Sequence, residues 1–272
     1  MGDLDGRTFL VTGANAGIGQ ATAIDLGRRG GRVFAACRSE ERARPVLDEL
    51  GDQGVFLALD LGDLASVRAC AQSFLERDEP LRVLVNNAGV GGQRGSTSDG
   101  FELTFGVNHL GHFLLTRLLL DRIKDSGPAR IVNVSSVGHY QAKGIDWEAL
   151  RKPTRSFTGL PEYAVSKLCN VLFTQELARR LEGAGVTTYA VHPGAIASQI
   201  WKRVPWPIRP VMKAFMKSSE EGATTSVWCA TAPELAGQSG RYYDDCKEKE
   251  PSAVATPELG RELWERSEAW TS

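Results

Sequence analysis

Three absences narrow what this chain of 272 residues can be. Lysine and arginine total 32 against 33 acidic residues, a formal net charge of -1, so no basic excess favours nucleic acid as a partner. No apolar run approaches the roughly 20 residues that a membrane-spanning helix needs. The chain has 5 cysteines and no C-x-x-C pair, so we expect neither a disulfide framework nor a zinc site.

Histidine is also scarce, with only 4 residues, and this bears on metal binding. None has metal-ligand spacing, so no metal site is expected. His109 and His112 are interpreted as packing or capping residues, whereas His139 is open to a substrate contact. The odd number of cysteines favours a reducing compartment, and a first strand near Arg7 leaves no room for a signal peptide. We therefore expect a cytoplasmic protein.

Short apolar or β-branched runs alternate with longer helical patterns along the chain. The runs are Thr8–Thr12, Arg32–Cys37, Val55–Leu59, Val83–Asn86, Ile131–Ser135 and Val186–Val191. The helical patterns are Ile18–Arg29, Glu40–Leu50, Leu64–Glu76, Phe101–Lys124, Pro161–Leu181 and Thr256–Trp270. This alternation predicts an α/β fold, namely a single doubly wound (Rossmann) domain over residues 1–272, with a parallel sheet of about seven strands and helices on both faces.

Two stretches depart from the alternation. Gly138–Gly159 is interpreted as a polar insertion between a strand and the next helix. Residues 198–217 are apolar and rich in proline and tryptophan, which is typical of a substrate lid. A helix packed on the domain and a peripheral membrane contact are the alternatives for this second stretch.

A glycine-rich turn follows the first predicted strand and leads into the first predicted helix. Glycines at such a turn let a pyrophosphate approach the backbone, and the helix N-terminus favours its negative charge. The turn therefore predicts a dinucleotide site, whose candidate residues are Gly13, Asn15, Ala16, Gly17, Ile18 and Gly19.

The end of the second strand bears on the choice of cofactor. An acidic residue is expected there when the ribose 2′-hydroxyl of NAD is bound, but the sequence reads Ala36-Cys37-Arg38-Ser39. Arg38 can pair with a 2′-phosphate through a charge-assisted fork. The sequence therefore predicts NADP(H) in preference to NAD(H), with Arg38 as a solvated helix-start residue the alternative.

Further candidates follow the third and fourth strands. Asp60, followed by Leu61, is interpreted either as a helix cap or as a contact to the adenine. Asn87, Ala88 and Gly89 form a turn of small residues at the carboxyl edge of the sheet, which is where open α/β folds bind ligands.

Tyr163 and Lys167 are four residues apart in a helical pattern and so share one helical face. Tyrosine has a pKa near 10 in water, and a nearby ammonium is expected to lower it. The pair could then exchange a proton with a substrate hydroxyl or carbonyl while hydride moves. A serine at the end of the fifth strand could orient the same oxygen.

These motifs together resemble the short-chain dehydrogenases/reductases over nearly the whole chain, and within them the branch that holds the retinol dehydrogenases and the WW-domain oxidoreductase. The resembling segments are Thr12–Gly19, Ala35–Ser39, Asn86–Gly89, Val107–Gly111, Val132–Ser136, Tyr163–Asn170, His192–Gly194, Glu221–Ala223, Gly240–Tyr243 and Leu263–Trp264. Ser166–Asn170 is also similar to protochlorophyllide reductases, but the long insertion that marks those enzymes is lacking.

The resemblance implies four catalytic roles. Tyr163 would be the general acid/base, Lys167 would tune it and bind the nicotinamide ribose, and Ser136 would orient the substrate oxygen while Ser135 is structural. Asn108 would hold a water that relays protons through Lys167. The residues implied at the nicotinamide are Pro193, Gly194, Ile196 and Ser198.

The function expected from sequence is NADP(H)-dependent interconversion of a carbonyl and an alcohol on a lipophilic small molecule. The alternatives are a cofactor-binding regulatory or scaffold protein and a reductase of carbon–carbon double bonds. In this family the long helices Phe101–Lys124 and Pro161–Leu181 often pair between subunits, so a homodimer or homotetramer is open; the apolar faces could equally be covered within the chain.

Overall fold

The predicted alternation of strands and helices is present in the computed structural model, which describes residues 2–194 and 218–272. The strands are β1 (Thr8–Thr12), β2 (Arg32–Cys37), β3 (Gly54–Ala58), β4 (Val83–Asn86), β5 (Ala129–Val134), β6 (Val186–His192), β7 (Arg241–Asp244) and β8 (Lys247–Lys249). They form one sheet in the order β3-β2-β1-β4-β5-β6-β7-β8. The first seven are parallel and β8 is antiparallel, so the expected Rossmann-like sheet is confirmed with one short edge strand added.

Helices cover both faces of this sheet. They are α1 (Gly17–Arg28), α2 (Glu40–Leu50), α3 (Leu64–Leu75), α4 (Leu103–Phe105), α5 (Gly111–Asp125), α6 (Leu160–Arg180), α7 (Ser219–Thr231) and α8 (Pro257–Thr271). Strand β1 shows why two layers form. Leu10 lies in one hydrophobic cluster with α3 and α5, and its neighbours Phe9 and Val11 lie in another with α1.

The segment predicted as one helix, Phe101–Lys124, is interrupted. A π-helical segment, Gly106–Leu110, separates α4 from α5. Single π-helical turns are frequent at functional sites, and this one contains Asn108. The prediction of an unbroken helix was therefore wrong at a position that matters for the site.

The segment interpreted as a polar insertion, Gly138–Gly159, packs on the domain. Leu150 is buried, and its carbonyl accepts a hydrogen bond from the Glu102 amide at 2.8 Å. The buried Glu102 carboxylate accepts from the hydroxyls of Thr104 and Thr154 and from the amide of Phe105. Leu150 and Thr154 of the insertion are thus both bound to Glu102, which fixes the insertion beside the start of α4.

The last helix, α8, covers the apolar face that α5 and α6 share. Trp264 is 5% exposed and stacks on Phe173 of α6, with its ring edge-on to Phe113 of α5. The Arg180 guanidinium lies 4.3 Å from the Trp264 ring centroid. The sequence left open whether the apolar faces of these helices pair between subunits or are covered within the chain. The face that α5 and α6 share is covered within the chain, by α8.

The described helices include none long and apolar enough to span a bilayer.

Candidate active site

The order of the strands creates a crevice at the carboxyl edge of the sheet. Strand β1 lies between β2 and β4, so the later strands are added first on one side of β1 and then on the other. Ligands of open α/β folds bind at such a switch point. The turns after β1 and β4 meet there, and β5 ends on the far side of β4.

The turn after β1 has the geometry of an anion cradle. Gly13 and Gly17 have φ angles of 68° and 57°, values that favour glycine. A Cβ on Gly17 would meet nothing within 4 Å, whereas one on Gly19 would lie 2.3 Å from Asn87 Nδ2. Ala16, the N-cap residue of α1, makes no side-chain capping bond. Exposed first-turn amides and an open face at Gly17 fit a pyrophosphate, and residues 13–19 would hold it.

Arg38 directly follows β2, close to this turn, since the Gly13 amide donates to the carbonyl of Ala36 at 2.7 Å. Its side chain is exposed, and no ion pair forms between it and any described residue. Ser39 caps α2, because its hydroxyl accepts from the Arg42 amide at 3.3 Å. A guanidinium without an ionic partner in residues 2–194 and 218–272 therefore lies beside the cradle.

Asp60 was expected either to cap a helix or to contact an adenine, and the helix-cap prediction was wrong. Asp63 caps α3 instead, accepting from the amides of Ala65 and Ser66. Asp60 Oδ1 accepts from the Gly62 amide at 2.9 Å and so closes the short turn that contains Leu61. Both residues follow β3 on the ligand edge of the sheet.

The turn Asn87–Gly89 is bound to the end of β1 through Thr12. The Thr12 hydroxyl accepts from the amides of Asn87 and Ala88 at 2.9 and 3.0 Å, and the Asn87 side-chain amide donates to the Thr12 carbonyl at 2.8 Å. A Cβ on Gly89 would lie 3.5 Å from Lys167 Nζ. This turn therefore connects the predicted dinucleotide cradle to the predicted acid–base pair.

The three polar groups of the predicted chemistry lie together. The Ser136 hydroxyl lies beside Tyr163, since a Cβ on Gly138 would lie 3.5 Å from Ser136 Oγ and 3.4 Å from Tyr163 Cε1. The Lys167 ammonium lies 5.6 Å from the Tyr163 ring centroid. Burial raises the pKa of Tyr163 above its ordinary value, and the neighbouring Ser136 side chain opposes this only in part. The expected lowering of this pKa is therefore not found, because burial sets the direction of the shift.

Lys167 is 3% exposed and donates to the Val134 carbonyl at 2.8 Å. Burial lowers the pKa of its ammonium to about 8. Ser135, expected to be structural, donates to the Lys167 carbonyl at 2.7 Å. The two serines thus differ in their contacts, with Ser135 facing the backbone of α6 and Ser136 facing Tyr163.

The side chain of Asn108 is fully engaged by protein. Its Oδ1 accepts from the Val90 amide at 2.8 Å, and its Nδ2 donates to the Val90 carbonyl and the Ser166 hydroxyl, each at 2.9 Å. The Ser166 hydroxyl in turn donates to the Tyr163 carbonyl. Both amide hydrogens of Asn108 are thus used by protein groups, and its role in holding a relay water stays a prediction.

His139 makes structural contacts. It is fully buried, its ring lies tilted against Tyr140 and edge-on to Tyr242, and its Nε2 accepts from the Ser252 amide at 3.1 Å. Its Nδ1 lies 2.7 Å from the Ser136 carbonyl, so both ring nitrogens have protein partners and a substrate contact gains no support. Pro193 and Gly194 follow β6 at the same edge of the sheet, whereas Ile196, Ser198 and the proposed lid at 198–217 lie outside the described residues.

His112 was interpreted from sequence as a packing or capping residue, and the structure shows more. Its ring nitrogens contact the Asn108 carbonyl and the Thr12 hydroxyl, at 3.0 and 2.8 Å. The signal was present in the spacing, since His112 lies four residues after Asn108 and so on the same helical face. The described residues contain no group of histidines, cysteines or carboxylates able to bind a metal.

The sheet order and the edge site define a Rossmann-like oxidoreductase domain. The family model described as short chain dehydrogenase matches residues 7–148, and the chain belongs to that family. Human retinol dehydrogenase 11 is 46% identical over 97% of this chain and 85% of its own length. Human retinol dehydrogenase 12 is 47% identical over 90% of this chain and 79% of its own.

Solved structures agree on the fold. An uncharacterised protein from Mycobacterium paratuberculosis superposes with a TM-score of 0.79 and 32% identity, covering 100% of this chain and 98% of that one. A 3-ketoacyl-(acyl-carrier-protein) reductase from Brucella melitensis, complexed with NADH, has a TM-score of 0.71 at 24% identity, covering 93% and 100%. The second likeness bears on the fold alone.

Proposed function

We propose that this protein is an NADP(H)-dependent oxidoreductase that interconverts a carbonyl and an alcohol on a lipophilic small molecule. The observation that carries the proposal is the placement of the Ser136 hydroxyl and the Lys167 ammonium beside the Tyr163 ring, with Lys167 also against the turn at Gly89. A proton donor, an orienting hydroxyl and a cation thus converge at the ligand edge of the sheet.

Tyr163 is the group that moves the proton. Because burial raises the pKa of its phenol, the side chain is protonated at neutral pH and can donate to a carbonyl oxygen during reduction. Ser136 lies beside the same phenol and can hold the substrate oxygen there. Lys167, fixed on the Val134 carbonyl, stabilises the phenolate that remains. In the oxidative direction the phenolate form of Tyr163 would accept the proton of the alcohol.

The cofactor would occupy the cradle formed by the turns after β1 and β4. A nicotinamide cofactor supplies or accepts the hydride when bound. Residues 13–19 would hold the pyrophosphate, and Arg38, which has no ionic partner among the described residues, would pair with a 2′-phosphate. The absence of an acidic residue at this position supports NADP(H) over NAD(H).

The substrate class is supported by the surface around Tyr163. Among the described residues, the exposed large apolar side chains are Val137, Tyr140, Phe157 and Leu160. Val137 follows Ser136, and Leu160 lies one helical turn before Tyr163. Exposed apolar groups concentrated at a site favour a lipophilic ligand. The two retinol dehydrogenases named above support a retinoid-like molecule, with steroids and aromatic ketones as further members of the class.

The test is a substrate screen with the purified protein that follows the absorbance of reduced nicotinamide. The panel holds retinal, steroid ketones and aromatic ketones, each with NADPH and with NADH. We expect turnover of at least one member, with kcat/KM for NADPH at least about tenfold above that for NADH, a difference that one ionic contact can produce.

Two results would contradict the proposal. Tight cofactor binding without turnover across the panel would favour a regulatory or scaffold protein. Reduction of a conjugated substrate at its carbon–carbon double bond, with the carbonyl retained, would favour the other alternative.

A further inference from the structure

His112 is a buried titratable side chain that the proposed chemistry does not use. It is 2% exposed and is the second residue of α5, directly after the π-helical segment and one turn after Asn108. Its Nδ1 lies 3.0 Å from the Asn108 carbonyl oxygen, and its Nε2 lies 2.8 Å from Thr12 Oγ1. One ring therefore joins the helix that carries Asn108 to the strand that begins the dinucleotide cradle.

The two contacts fix the tautomer of the ring. A carbonyl oxygen only accepts, so Nδ1 must carry a proton. A neutral imidazole carries one proton, so Nε2 is then an acceptor. The Thr12 hydroxyl must supply the hydrogen for the second contact.

This direction also suits the other partners of Thr12. Its hydroxyl oxygen already accepts from the amides of Asn87 and Ala88. A hydroxyl has one proton to donate and two lone pairs, so donation to His112 completes its hydrogen bonding. The Val85 carbonyl, at 3.4 Å, is the more distant alternative acceptor.

The ring is neutral at physiological pH. Burial lowers the pKa of His112, the Asn108 carbonyl opposes the shift and the charge of Lys167 adds to it, and the result is a pKa of about 4. His109, the other titratable group on this helix face, also has a lowered pKa, about 3, and contributes no charge. A charged ring would present a third N–H donor to Thr12 and leave the hydroxyl proton without this acceptor.

The turn that Thr12 holds is next to the chemistry. A Cβ on Gly89 would lie 3.3 Å from Asn108 Oδ1 and 3.5 Å from Lys167 Nζ. Asn108 therefore contacts both the His112 ring and the chain just after the turn: its carbonyl binds His112, and its side chain binds Val90, which follows Gly89.

We propose that His112, as the neutral Nδ1–H tautomer, is a positioning residue that orients the Thr12 hydroxyl and thereby sets the cofactor-facing turn Asn87–Gly89 against Asn108 and Lys167. This inference rests on the proposed function only in assuming that the turn faces a cofactor. The direction of the hydrogen bonds follows from the contacts of the His112 ring alone.

The first test is the tautomer, and it needs no variant. Nitrogen-15 NMR of the wild-type protein should show His112 protonated at Nδ1 and not at Nε2, with no titration between about pH 6 and 8. An Nε2–H tautomer, or a titration within that range, would overturn the proposal. This result does not depend on whether the protein turns over any substrate.

The second test separates the two contacts with matched amides. His112→Asn can place an amide nitrogen near the position of Nδ1, which keeps the Asn108 contact and loses Thr12. His112→Gln can place an amide oxygen near the position of Nε2, which keeps an acceptor for Thr12. Cofactor Kd, titrated with NADPH and with NADH, should rise about tenfold in His112→Asn, the value of one buried hydrogen bond, and about twofold or less in His112→Gln.

A double-mutant cycle tests whether His112 and Thr12 act through one shared hydrogen bond, which a merely structural role of His112 would not require. Thr12→Val alone should also raise the Kd about tenfold, and adding His112→Asn to it should raise the Kd by less than about twofold, because the shared bond is already lost. Additive effects, or an equal Kd in the Asn and Gln variants, would overturn the inference. Failure of the wild-type protein to bind either cofactor would instead contradict the proposed function.

Discussion

The Lys167 ammonium and the Asn170 side-chain amide share one acceptor, the Val134 carbonyl, at 2.8 and 3.0 Å. Both donors come from α6 and the acceptor ends β5, so the helix that carries Tyr163 is fixed directly on the strand that leads to Ser136. This shared contact explains how groups about thirty residues apart hold one geometry before any ligand binds. It also means that Lys167 has a structural partner as well as its proposed role.

Replacement of Tyr163 by Phe removes the proton donor and leaves the ring. We expect kcat for a substrate found in the screen to fall by about 10²–10⁴-fold, the usual contribution of general acid catalysis, while cofactor Kd changes by less than about twofold. Tyr189→Phe is the matched control, because the Tyr189 hydroxyl bonds Leu235 and Thr187, on another part of the sheet. Undiminished turnover in Tyr163→Phe would remove the residue from the reaction.

Replacement of Arg38 by Asp should reverse the preference between the two cofactors. The new carboxylate repels a 2′-phosphate and can accept from a 2′-hydroxyl, so the NADPH/NADH ratio of kcat/KM should fall at least about tenfold. Arg44→Asp makes the same charge change in α2 and should leave the ratio within about twofold. If both variants shift the ratio equally, the effect is long-range charge and not contact with Arg38.

Replacement of Lys167 by Met should change how stability depends on pH. The folded-state pKa of Lys167 is about 8, below its ordinary value of 10.5, so the unfolded chain binds more protons between these values. Stability contributed by this group therefore rises with pH through that window, by up to about 1.4 kcal/mol per pH unit.

Urea unfolding of the wild type and Lys167→Met at pH 7, 8 and 9 measures this effect, with pH 9 chosen to stay below the range in which tyrosines ionise. The free energy of unfolding of Lys167→Met, relative to that of the wild type, should be highest at pH 7 and fall as pH rises. A gap that stays constant over these three values would show that the ammonium is not desolvated as described.

Replacement of Trp264 by Ala should lower the free energy of unfolding by about 3–5 kcal/mol, because it empties the contact between α8 and the two long helices. Trp264→Phe should cost much less, since the indole N–H is buried with no hydrogen-bond partner among the described residues and its loss removes no bond. Urea unfolding compares the two. Equal losses in both variants would show that a specific indole contact, and not apolar volume, stabilises α8.

Replacement of Gly17 by Ala tests the cradle. A Cβ there meets no protein atom within 4 Å, so the variant should bear only the backbone strain of a positive φ, about 1–2 kcal/mol, and still fold. Cofactor Kd should rise more than about tenfold, because the methyl group enters the space assigned to the pyrophosphate. Gly183→Ala, with φ 76° and equally open surroundings, is the control for strain without loss of binding. Unchanged cofactor Kd in Gly17→Ala would move the pyrophosphate elsewhere.

Regular elements were predictable where a pattern repeats along the chain. Strands β1, β2 and β4 and helix α2 have the predicted bounds, because buried parallel strands are continuous apolar runs and α2 begins at a serine cap. Helix α7 was missed although its capping box, Ser218 and Glu221, is visible in the sequence. Its periodicity is weak, since small residues lie on every side of it.

What sequence could not supply depends on contacts between distant residues. Asp60 closes a turn with Gly62 and so leaves the helix cap to Asp63, and Asn108 in the π-helical segment is bound to Val90, 18 residues earlier. The raised pKa of Tyr163 follows from burial, which only the assembled fold creates. The site residues were predictable as types and positions, and their electrostatics were not.

The packing of α8 over α5 and α6 has a consequence for the order in which the protein can fold. On the ribosome, Phe113 and Phe173 emerge long before Pro257–Thr271 has been synthesised, so the apolar face that Trp264 covers is exposed while β6, β7 and α7 are still being made. Long-range contacts of this kind delay completion of a fold and leave intermediates prone to association. The growing chain therefore passes through a stage at which these two helices are open to other partners, including a chaperone or a second nascent copy.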